Sequence, residues 1–468
     1  MSRSSTSPIV GVDGLGHVGL TTALTFAAKG LRVVGHDIDP RVRRRLRAGR
    51  LPFYERGLPE LFARVRRTGL FQVEDRLASL CKQAEIIFLC LPTPSGPGGE
   101  IDLRVLEAGT RDLGRALANG EGYRVVVVKS TVVPGTTSGL VEPLLREESS
   151  LGSSQLGVAA NPEFLAEGSM VSDALHPERV IVGTSDPLTL RRLRHLYARF
   201  DSPFVALTPG GAELVKYASN GFLAMKVSFA NEIAPLAERV HEDVDAVMAA
   251  VGLDSRIGPK FLRAGPGFGG SCFDKDLRAL VARAREWGLP LRLNEATLRA
   301  NDDRTDHVLR LVRRALGTIR GRTITVLGLA FKAGTDDVRE SRAFPIVRAL
   351  VARGARVRVH DPVALADFRR EWRRDAPTSP RICFCRSIRS ALHASDLAVL
   401  HADWPQYLRW RPEWTQEMHT PLVVDLRRAL RRVPAPGLDR IYLGVGEPMT
   451  PGRTSWSSRR HRPRVVGP

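Results

Sequence analysis

The stretch Ile9-Val10-Gly11-Val12-Asp13-Gly14-Leu15-Gly16-His17-Val18-Gly19 decides how the chain is read. Ile9–Val12 has the apolar texture of a buried strand, and His17–Lys29 that of a helix. Between them, residues 14–19 fit G-x-G-x-x-G. Glycines at those places permit a tight turn and let a pyrophosphate lie against the backbone at a helix N-terminus. A second strand, Leu31–Asp37, ends on an acid. A carboxylate there accepts hydrogen bonds from a ribose diol and repels a 2′-phosphate. Gly14, Gly16, Gly19 and Asp37 are therefore expected to hold NAD rather than NADP.

Outward from this unit, strand and helix patterns alternate. Leu77–Ala84 reads as a helix end, and Glu85–Leu91, Tyr123–Lys129, Leu156–Ala160 and Val180–Gly183 read as strands, which implies a parallel sheet. From Gly211 the texture changes. Ala212–Ala250 is Ala-rich and helical, a Gly-rich turn follows at Gly265–Gly270, and helix resumes over Asp274–Trp287 and Asn294–Leu316. Alternation restarts with strands at Thr323–Leu327, Arg356–His360, Leu397–His401 and Leu422–Asp425. The expected fold is α/β, with two Rossmann-like doubly wound domains (residues 1–208 and 319–448) joined by a central all-helical domain (209–318). Residues 449–468, rich in Pro, Ser, Gly and Arg without apolar period, are expected to form a disordered basic tail. Both α/β halves begin as strand, glycine turn, helix, strand and acid, the acid being Asp37 in the first and Asp361 in the second. That suggests a duplicated nucleotide-binding architecture with ligands at the carboxyl ends of the strands.

A chain of 468 residues with 43% hydrophobic content supports two or three domains. No apolar run reaches the roughly 20 residues needed to span a bilayer, and the short polar start does not read as a secretory signal. A cytoplasmic protein is expected. Its five cysteines are odd in number and scattered, which argues for reduced thiols. Cys383 and Cys385 form a CxC with no matching Cys/His pair downstream, so a buried strand is expected there and no metal site. The net charge of +20 is spread along the chain as Arg, dense only at Arg41–Arg47 and Arg453–Arg464. With 6% aromatic residues and no nucleic-acid module, it reads as compositional bias, helped by an anionic substrate, rather than as a surface for DNA or RNA.

Arg so dominates the basic residues that each Lys is informative, since Arg cannot fit a site shaped for a compact ammonium. Lys129, Lys216, Lys226, Lys260, Lys275 and Lys332 nearly all fall in distinctive motifs. Asn161-Pro162-Glu163-Phe164-Leu165-Ala166-Glu167-Gly168 carries two carboxylates four apart, which could share one face of a helical turn as acid or base. Taken alone, that stretch reads better as a surface turn. Lys216 and Asn220 lie at i and i+4 on one helix face, a plausible clamp for an oxyanion. In Gly265-Pro266-Gly267-Phe268-Gly269-Gly270-Ser271-Cys272-Phe273-Asp274-Lys275-Asp276, glycines let the backbone curl around a ligand. Cys272 falls at a helix start, where the dipole and Lys275 would lower a thiol pKa, and Asp276 faces the same way. Cys272 thus reads as a nucleophile. Gly328–Ser341 opens the second α/β half, and its Lys332 and Arg339 suit phosphate or carboxylate recognition.

These blocks, with GLGHVGL, KSTVVPGTT, NPEFLAEG, KYASNGFLAMKVSFANEI, RIGPKFLRAGPGFGGSCFDKD and FKAGTDDVRES in order, resemble the UDP-glucose/GDP-mannose dehydrogenases from about residue 8 to about residue 430. Asp254-Ser255-Arg256-Ile257-Gly258 resembles the UDP-glucose branch. The resemblance implies further NAD contacts from Thr93, Thr131, Glu167 and Arg339. It implies that Lys216 and Asn220 stabilise oxyanions, that Cys272 attacks an aldehyde, and that Glu163, Thr131 and Asp276 place or activate the hydrolytic water. Glu163, Phe164, Leu165, Lys216, Asn220, Phe268, Gly269, Phe331, Lys332 and Arg427 are implied substrate contacts, with Arg256 reaching into a neighbouring subunit of a homodimer or higher oligomer. The implied reaction is NAD-dependent four-electron oxidation of UDP-glucose to UDP-glucuronate; the alternative is the same chemistry on GDP-mannose or another nucleotide sugar. The chain departs from the family pattern at Asp13 (usually apolar), His17 (usually Tyr), Arg56 (usually Pro) and Pro92 (usually Gly). A carboxylate at Asp13, within a strand, needs a partner or a raised pKa.

Overall fold

Strand β1 (Val10–Asp13) is buried on both faces, as strands of a helix-covered parallel sheet must be. It pairs in parallel with β2 (Val33–His36) on one side and β4 (Ile86–Leu89) on the other. With β3 (Phe71–Val73), β5 (Arg124–Val128), β6 (Leu156–Ala160), β7 (Val180–Gly183) and β8 (Phe204–Leu207) they form one sheet ordered β3-β2-β1-β4-β5-β6-β7-β8. Helix α1 (His17–Ala28) follows β1, and nine of its residues from Gly19 to Ala27 are buried. The computed structural model describes residues 7–118, 120–375, 380–432 and 442–446, and the expected tail at 449–468 lies outside them.

The sheet is not wholly parallel. β6 and β7 meet antiparallel, with Ala160 opposite Gly183. The chain between them runs through an extended loop and a short helix, Met170–Leu175, rather than a full crossover helix, so β7 returns alongside β6.

A second sheet contains β9 (Thr323–Leu327), β10 (Arg356–His360), β11 (Ile382–Phe384), β12 (Leu397–Leu400), β13 (Leu422–Asp425) and β14 (Tyr442–Gly444). Its order is β11-β10-β9-β12-β13-β14, and every pairing is parallel. Between the sheets in sequence lie helices α2 (Pro209–Arg239), α3 (Val244–Gly252), α4 (Phe273–Glu286), α5 (Arg292–Asp302) and α6 (Arg304–Leu316). The expected helix Ala212–Ala250 is broken after Arg239, where His241 takes a positive φ of 60° and Asp243 caps the next helix. The expected helix Asn294–Leu316 is two helices meeting at Asp303. The chain divides into two compact units, Met1–Ser219 with Arg278–Leu289, and Asn220–Leu277 with Pro290–Pro468. Each has its own apolar core: Val12, Leu24, Phe88 and Val127 belong to the first, and Val326, Ile346, Val359 and Val399 to the second. Among the described residues no helix is long and apolar enough to cross a membrane.

The duplication legible in the sequence extends to individual hydrogen bonds. The amides of Gly14 and Gly328 donate to the carbonyls of His36 and His360, each at 2.9 Å. Both glycines take positive φ, 88° and 92°. The following amides, of Leu15 and Leu329, each donate at 2.7 Å to the strand-end acid, Asp37 or Asp361. The two acids then diverge. Asp37 is half-buried and accepts one further amide, from Asp39 at 2.9 Å. Asp361 is 3% exposed and also accepts from the amides of Ala330, Val363 and Ala364 and from Trp404 Nε1. An unsatisfied buried donor costs about 1–3 kcal/mol. Asp361→Ala is therefore expected to destabilise the fold by on the order of 4 kcal/mol, and Asp37→Ala by about 1 kcal/mol. Chemical denaturation of both variants measures the contrast, and equal losses would contradict it.

Candidate functional site

In the first unit the glycine turn has the form that a dinucleotide requires. A Cβ on Gly14 would sit 2.5 Å from the Cys90 carbonyl oxygen, and one on Gly19 would sit 1.7 Å from the Gly14 carbonyl oxygen. These two glycines hold the turn against β4 and α1. A Cβ on Gly16 would meet nothing within 4 Å. Gly16 is the N-cap of α1, with no side-chain cap and no acidic residue in the first turn, so the helix N-terminus is left for an anion. Asp37, with two amides on a carboxylate that has about four acceptor positions, retains capacity for a ribose diol. These residues fit NAD.

Around this turn the departures from the family pattern find partners. The Asp13 carboxylate meets His36 Nδ1 at 2.7 Å, across paired positions of β1 and β2. His17 stacks on Phe53 with centroids 3.9 Å apart. Pro92 is exposed, and its neighbour Leu91 is held through both amide and carbonyl by Ser130 Oγ. The Arg41–Arg47 cluster is engaged locally. Arg43 donates to the Asp37 and Ile38 carbonyls, Arg45 to the Leu51 carbonyl, Arg41 pairs with Asp39, and Arg47 pairs with Asp75.

The same unit contains a buried ion pair that sequence spacing could not place. Lys216 Nζ, on α2, meets Glu163 Oε1 at 3.0 Å, and both side chains are under 10% exposed. Glu163 Oε2 accepts the Leu165 amide at 2.5 Å. Burial pushes the Glu163 carboxyl up, but the adjacent Lys216 ammonium, the Leu165 amide and Lys129 together outweigh it and hold the group below its ordinary range. The helical turn considered for Glu163 and Glu167 does not form: residues 161–166 belong to neither helix nor strand, with Glu163 buried and Glu167 half-exposed. Glu163 is held by what precedes it. Asn161 accepts from Lys129 Nζ at 2.9 Å and from the Tyr197 hydroxyl at 2.5 Å, and donates to the Ile181 carbonyl at 2.7 Å. Phe164 lies under Lys216 and Arg179, 5.5 and 4.3 Å from its ring centroid. The Thr93 hydroxyl donates to the Thr131 carbonyl at 2.9 Å.

Glu213, absent from the expected site, lines a small cavity with Ser130, Thr131, Pro162 and Lys216. Its carboxylate accepts the amides of Gly135 and Thr137 at 2.6 and 2.7 Å, and burial raises its pKa. The signal available in the sequence was its place one turn before Lys216, which is weak in a helix rich in polar residues.

In the second unit, Cys272 is the residue before α4, and its carbonyl accepts the Asp276 amide at 2.8 Å, as an N-cap carbonyl does. The Asp276 carboxylate, 1% exposed, accepts from Asn220 Nδ2 and from Lys275 Nζ, each at 2.7 Å. Lys275 is thereby directed to Asp276. The glycine loop before Cys272 is pinned along its length. Gly265 donates to Asn231 Oδ1 at 2.7 Å, and its carbonyl accepts from Arg304 Nε at 2.6 Å. Phe268 exchanges two hydrogen bonds with the Asn301 side chain. Arg304 Nη1 also reaches the Asn231 carbonyl, which Pro235 inside α2 leaves without its helical donor. A Cβ on Gly269 would lie 2.4 Å from the Glu340 carbonyl oxygen, and one on Gly270 within 3.0 Å of the Phe331 ring, so these glycines allow that ring to pack on the loop. Arg427 donates to the Phe331 and His401 carbonyls at 2.9 Å, and Lys332 Nζ lies 5.4 Å from the Phe331 ring centroid. Arg339 forms a bidentate pair with Asp337, and Arg256, largely exposed, one with Asp254.

Residues 9–201, 211–303 and 325–432 match, in turn, the NAD binding, central and UDP binding domains of the UDP-glucose/GDP-mannose dehydrogenase family. The chain is 36% identical over 446 residues to the UDP-glucose 6-dehydrogenase TuaD of Bacillus subtilis, covering 95% of this chain and 94% of that protein. It is 38% identical over 433 residues to the UDP-glucose 6-dehydrogenase AglM of Haloferax volcanii, covering 90% and 97%. The solved UDP-glucose dehydrogenase of Pyrobaculum islandicum superposes with a TM-score of 0.86 at 40% identity, over 96% of this chain and 99% of that one.

Removing one partner of a buried ion pair costs about 3 kcal/mol or more, whereas removing both costs less than the sum. Lys216→Met is expected to destabilise the protein by about 3 kcal/mol at pH 7, and adding Glu163→Gln should recover part of that loss. Because the Glu163 pKa is lowered on folding, its contribution is present above the ordinary carboxylate pKa of about 4.3 and is lost as pH falls through the lower folded value. Denaturation of the wild type, Lys216→Met, Glu163→Gln and the double variant from neutral to acidic pH tests both points, and additive losses independent of pH would refute them.

Proposed function

Because this chain belongs to the UDP-glucose/GDP-mannose dehydrogenase family, we propose that it oxidises the C6 alcohol of UDP-glucose to the carboxylate. UDP-glucuronate is the product, and two NAD and one water are consumed per sugar. The observation that carries this reading is the thiol at the start of α4, one helical turn from a buried carboxylate that receives both Asn220 and Lys275. An enzyme that stopped at the aldehyde would need no such nucleophile.

Gly14, Gly16, Gly19, Asp37, Thr93, Thr131, Glu167 and Arg339 would hold NAD, which would supply the hydride acceptor for each oxidation. Lys216 and Asn220 stabilise the alkoxide formed as the C6 hydroxyl loses its proton, and later the tetrahedral oxyanions. Cys272 adds as thiolate to the C6 aldehyde, its sulfur bonding to carbon while the carbonyl oxygen takes a proton. The hemithioacetal has the tetrahedral carbon and second heteroatom that a further hydride loss requires. The resulting thioester is then opened by water, with Glu163, Thr131 and Asp276 placing it or taking its proton, and Cys272 leaves as thiolate. Phe164, Leu165, Phe268, Gly269, Phe331, Lys332 and Arg427 complete the sugar-nucleotide contacts. The odd number and scattered placement of the five cysteines support a reducing, cytoplasmic setting.

We assign the chain to a homodimer or a higher homo-oligomer. Phe222, Phe229 and Leu236, spaced by seven residues on α2, are 59, 47 and 60% exposed, an apolar stripe suited to a second copy. Arg256 would contribute to the neighbouring subunit's site. Phe229→Glu is expected to shift the sedimenting species to a smaller one and to lower turnover, and an unchanged sedimentation coefficient would contradict the interface.

Purified protein with NAD and separate UDP-glucose and GDP-mannose is expected to form two NADH per UDP-glucose consumed. Cys272→Ala should yield no uronate. A Cys272→Ser variant completing both oxidations at the normal rate would sink the covalent route, and preferred turnover of GDP-mannose would reassign the substrate.

A further inference from the structure

The CxC pair was expected in a buried strand, but β11 is the edge of its sheet, paired only to β10. Cys383 is exposed, while Cys385 is 5% exposed and continues the ladder by donating its amide to the Val359 carbonyl at 2.9 Å. The two thiols are in contact, with Sγ atoms 3.8 Å apart and Cys385 directed at both the sulfur and the carbonyl of Cys383. We propose that Cys383 and Cys385 act as a redox-active dithiol that closes to an intramolecular disulfide by exchange with a low-molecular-weight disulfide such as glutathione disulfide.

The two sulfurs have distinct roles. Cys383 is open to solvent and meets the small disulfide first. Its thiolate attacks one sulfur of RSSR, forming a mixed disulfide and releasing one RS⁻. Cys385 is shielded from direct attack. Burial pushes its thiol up to about 11, with the Cys383 thiol adding to the rise and Arg358 acting against both. Once Cys383 bears the mixed disulfide, Cys385 faces it from van der Waals distance. It loses its proton to solvent, attacks Cys383 Sγ and displaces the second RS⁻. The net change is two protein thiols and one RSSR to one protein disulfide and two RSH, so the pair is oxidised by two electrons and the small disulfide reduced by two. Closure from 3.8 Å to a bond of about 2.05 Å falls on an edge strand with one hydrogen-bonded neighbour, where the backbone has room to adjust. The remaining buried thiols are poor competitors: burial pushes Cys81 and Cys90 each up to about 12.

The full-length protein offers a direct readout. Cleavage after Arg381 and Arg386 releases Ile382–Arg386, which contains both cysteines, while Cys272 falls in another peptide. After incubation with glutathione disulfide, acid quench, alkylation and trypsin, this peptide is expected to be two hydrogens lighter than its reduced form and to carry no glutathione. Cys385→Ser should trap one glutathione on Cys383, and Cys383→Ser should leave Cys385 at least ten-fold slower to react. A wild-type peptide that retains glutathione, stays fully alkylatable, or links to a different peptide overturns the proposal.

Discussion

A carboxylate at the end of the second strand, gripping the backbone of the glycine turn after the first, is the interaction on which each α/β half depends. Asp37 holds the Leu15 amide and Asp361 the Leu329 amide. In both, the glycine before that amide is at positive φ and bonds back to the second strand. The turn must place its amides at the strand ends, and the carboxylate holds it there together with the buried side chain of Leu15 or Leu329. The bond thus sets where a nucleotide's phosphates can approach. The halves differ in how much of the acid is used. Asp37 keeps acceptor capacity at a half-buried position. Asp361 is enclosed by five donors, so in the second half the acid is a brace and recognition falls to other residues.

The buried carboxylates of Glu163 and Asp276 rest on a comparable device, a polar group fixed by partners from a separate element. Glu163 is held by Lys216 from α2 and by its own loop, which Asn161 ties to Lys129, Tyr197 and Ile181. Asp276 is held by Asn220 from the same α2 and by its neighbour Lys275. One long helix therefore supplies a polar partner to each of two buried carboxylates, through residues a single turn apart. The glycine loop before Cys272 is fixed by Asn231, Asn301 and Arg304. Without Lys216, burial would push the Glu163 carboxyl toward its neutral form, and a neutral group is a poor base.

Much of this was legible in advance where the code is local. Strands such as Thr323–Leu327 and Leu422–Asp425 fall where apolar runs place them, because parallel strands buried on both faces leave continuous hydrophobic sequence. Cys272 was legible as an N-cap because glycines precede it and a helix pattern follows. The short edge strand β3 was not legible, since three residues, none of them buried, carry too little periodicity, and β11 was expected as a buried strand although it lies at a sheet edge with Cys383 exposed. The antiparallel step between β6 and β7 depends on how a connection crosses the sheet, which no residue pattern states.

The sequence by itself determined the duplicated architecture, the family and the cofactor class, since each rests on residue type at fixed local spacing. Tertiary structure alone decided that Lys216 pairs with Glu163, that Asp13 is answered by His36, that Glu213 lines the cavity beside Thr131, and that Cys383 is exposed against Cys385. Those facts join residues distant in sequence, or depend on which strand lies at a sheet edge. Burial and electrostatics act through space, so spacing along the chain carries no record of them.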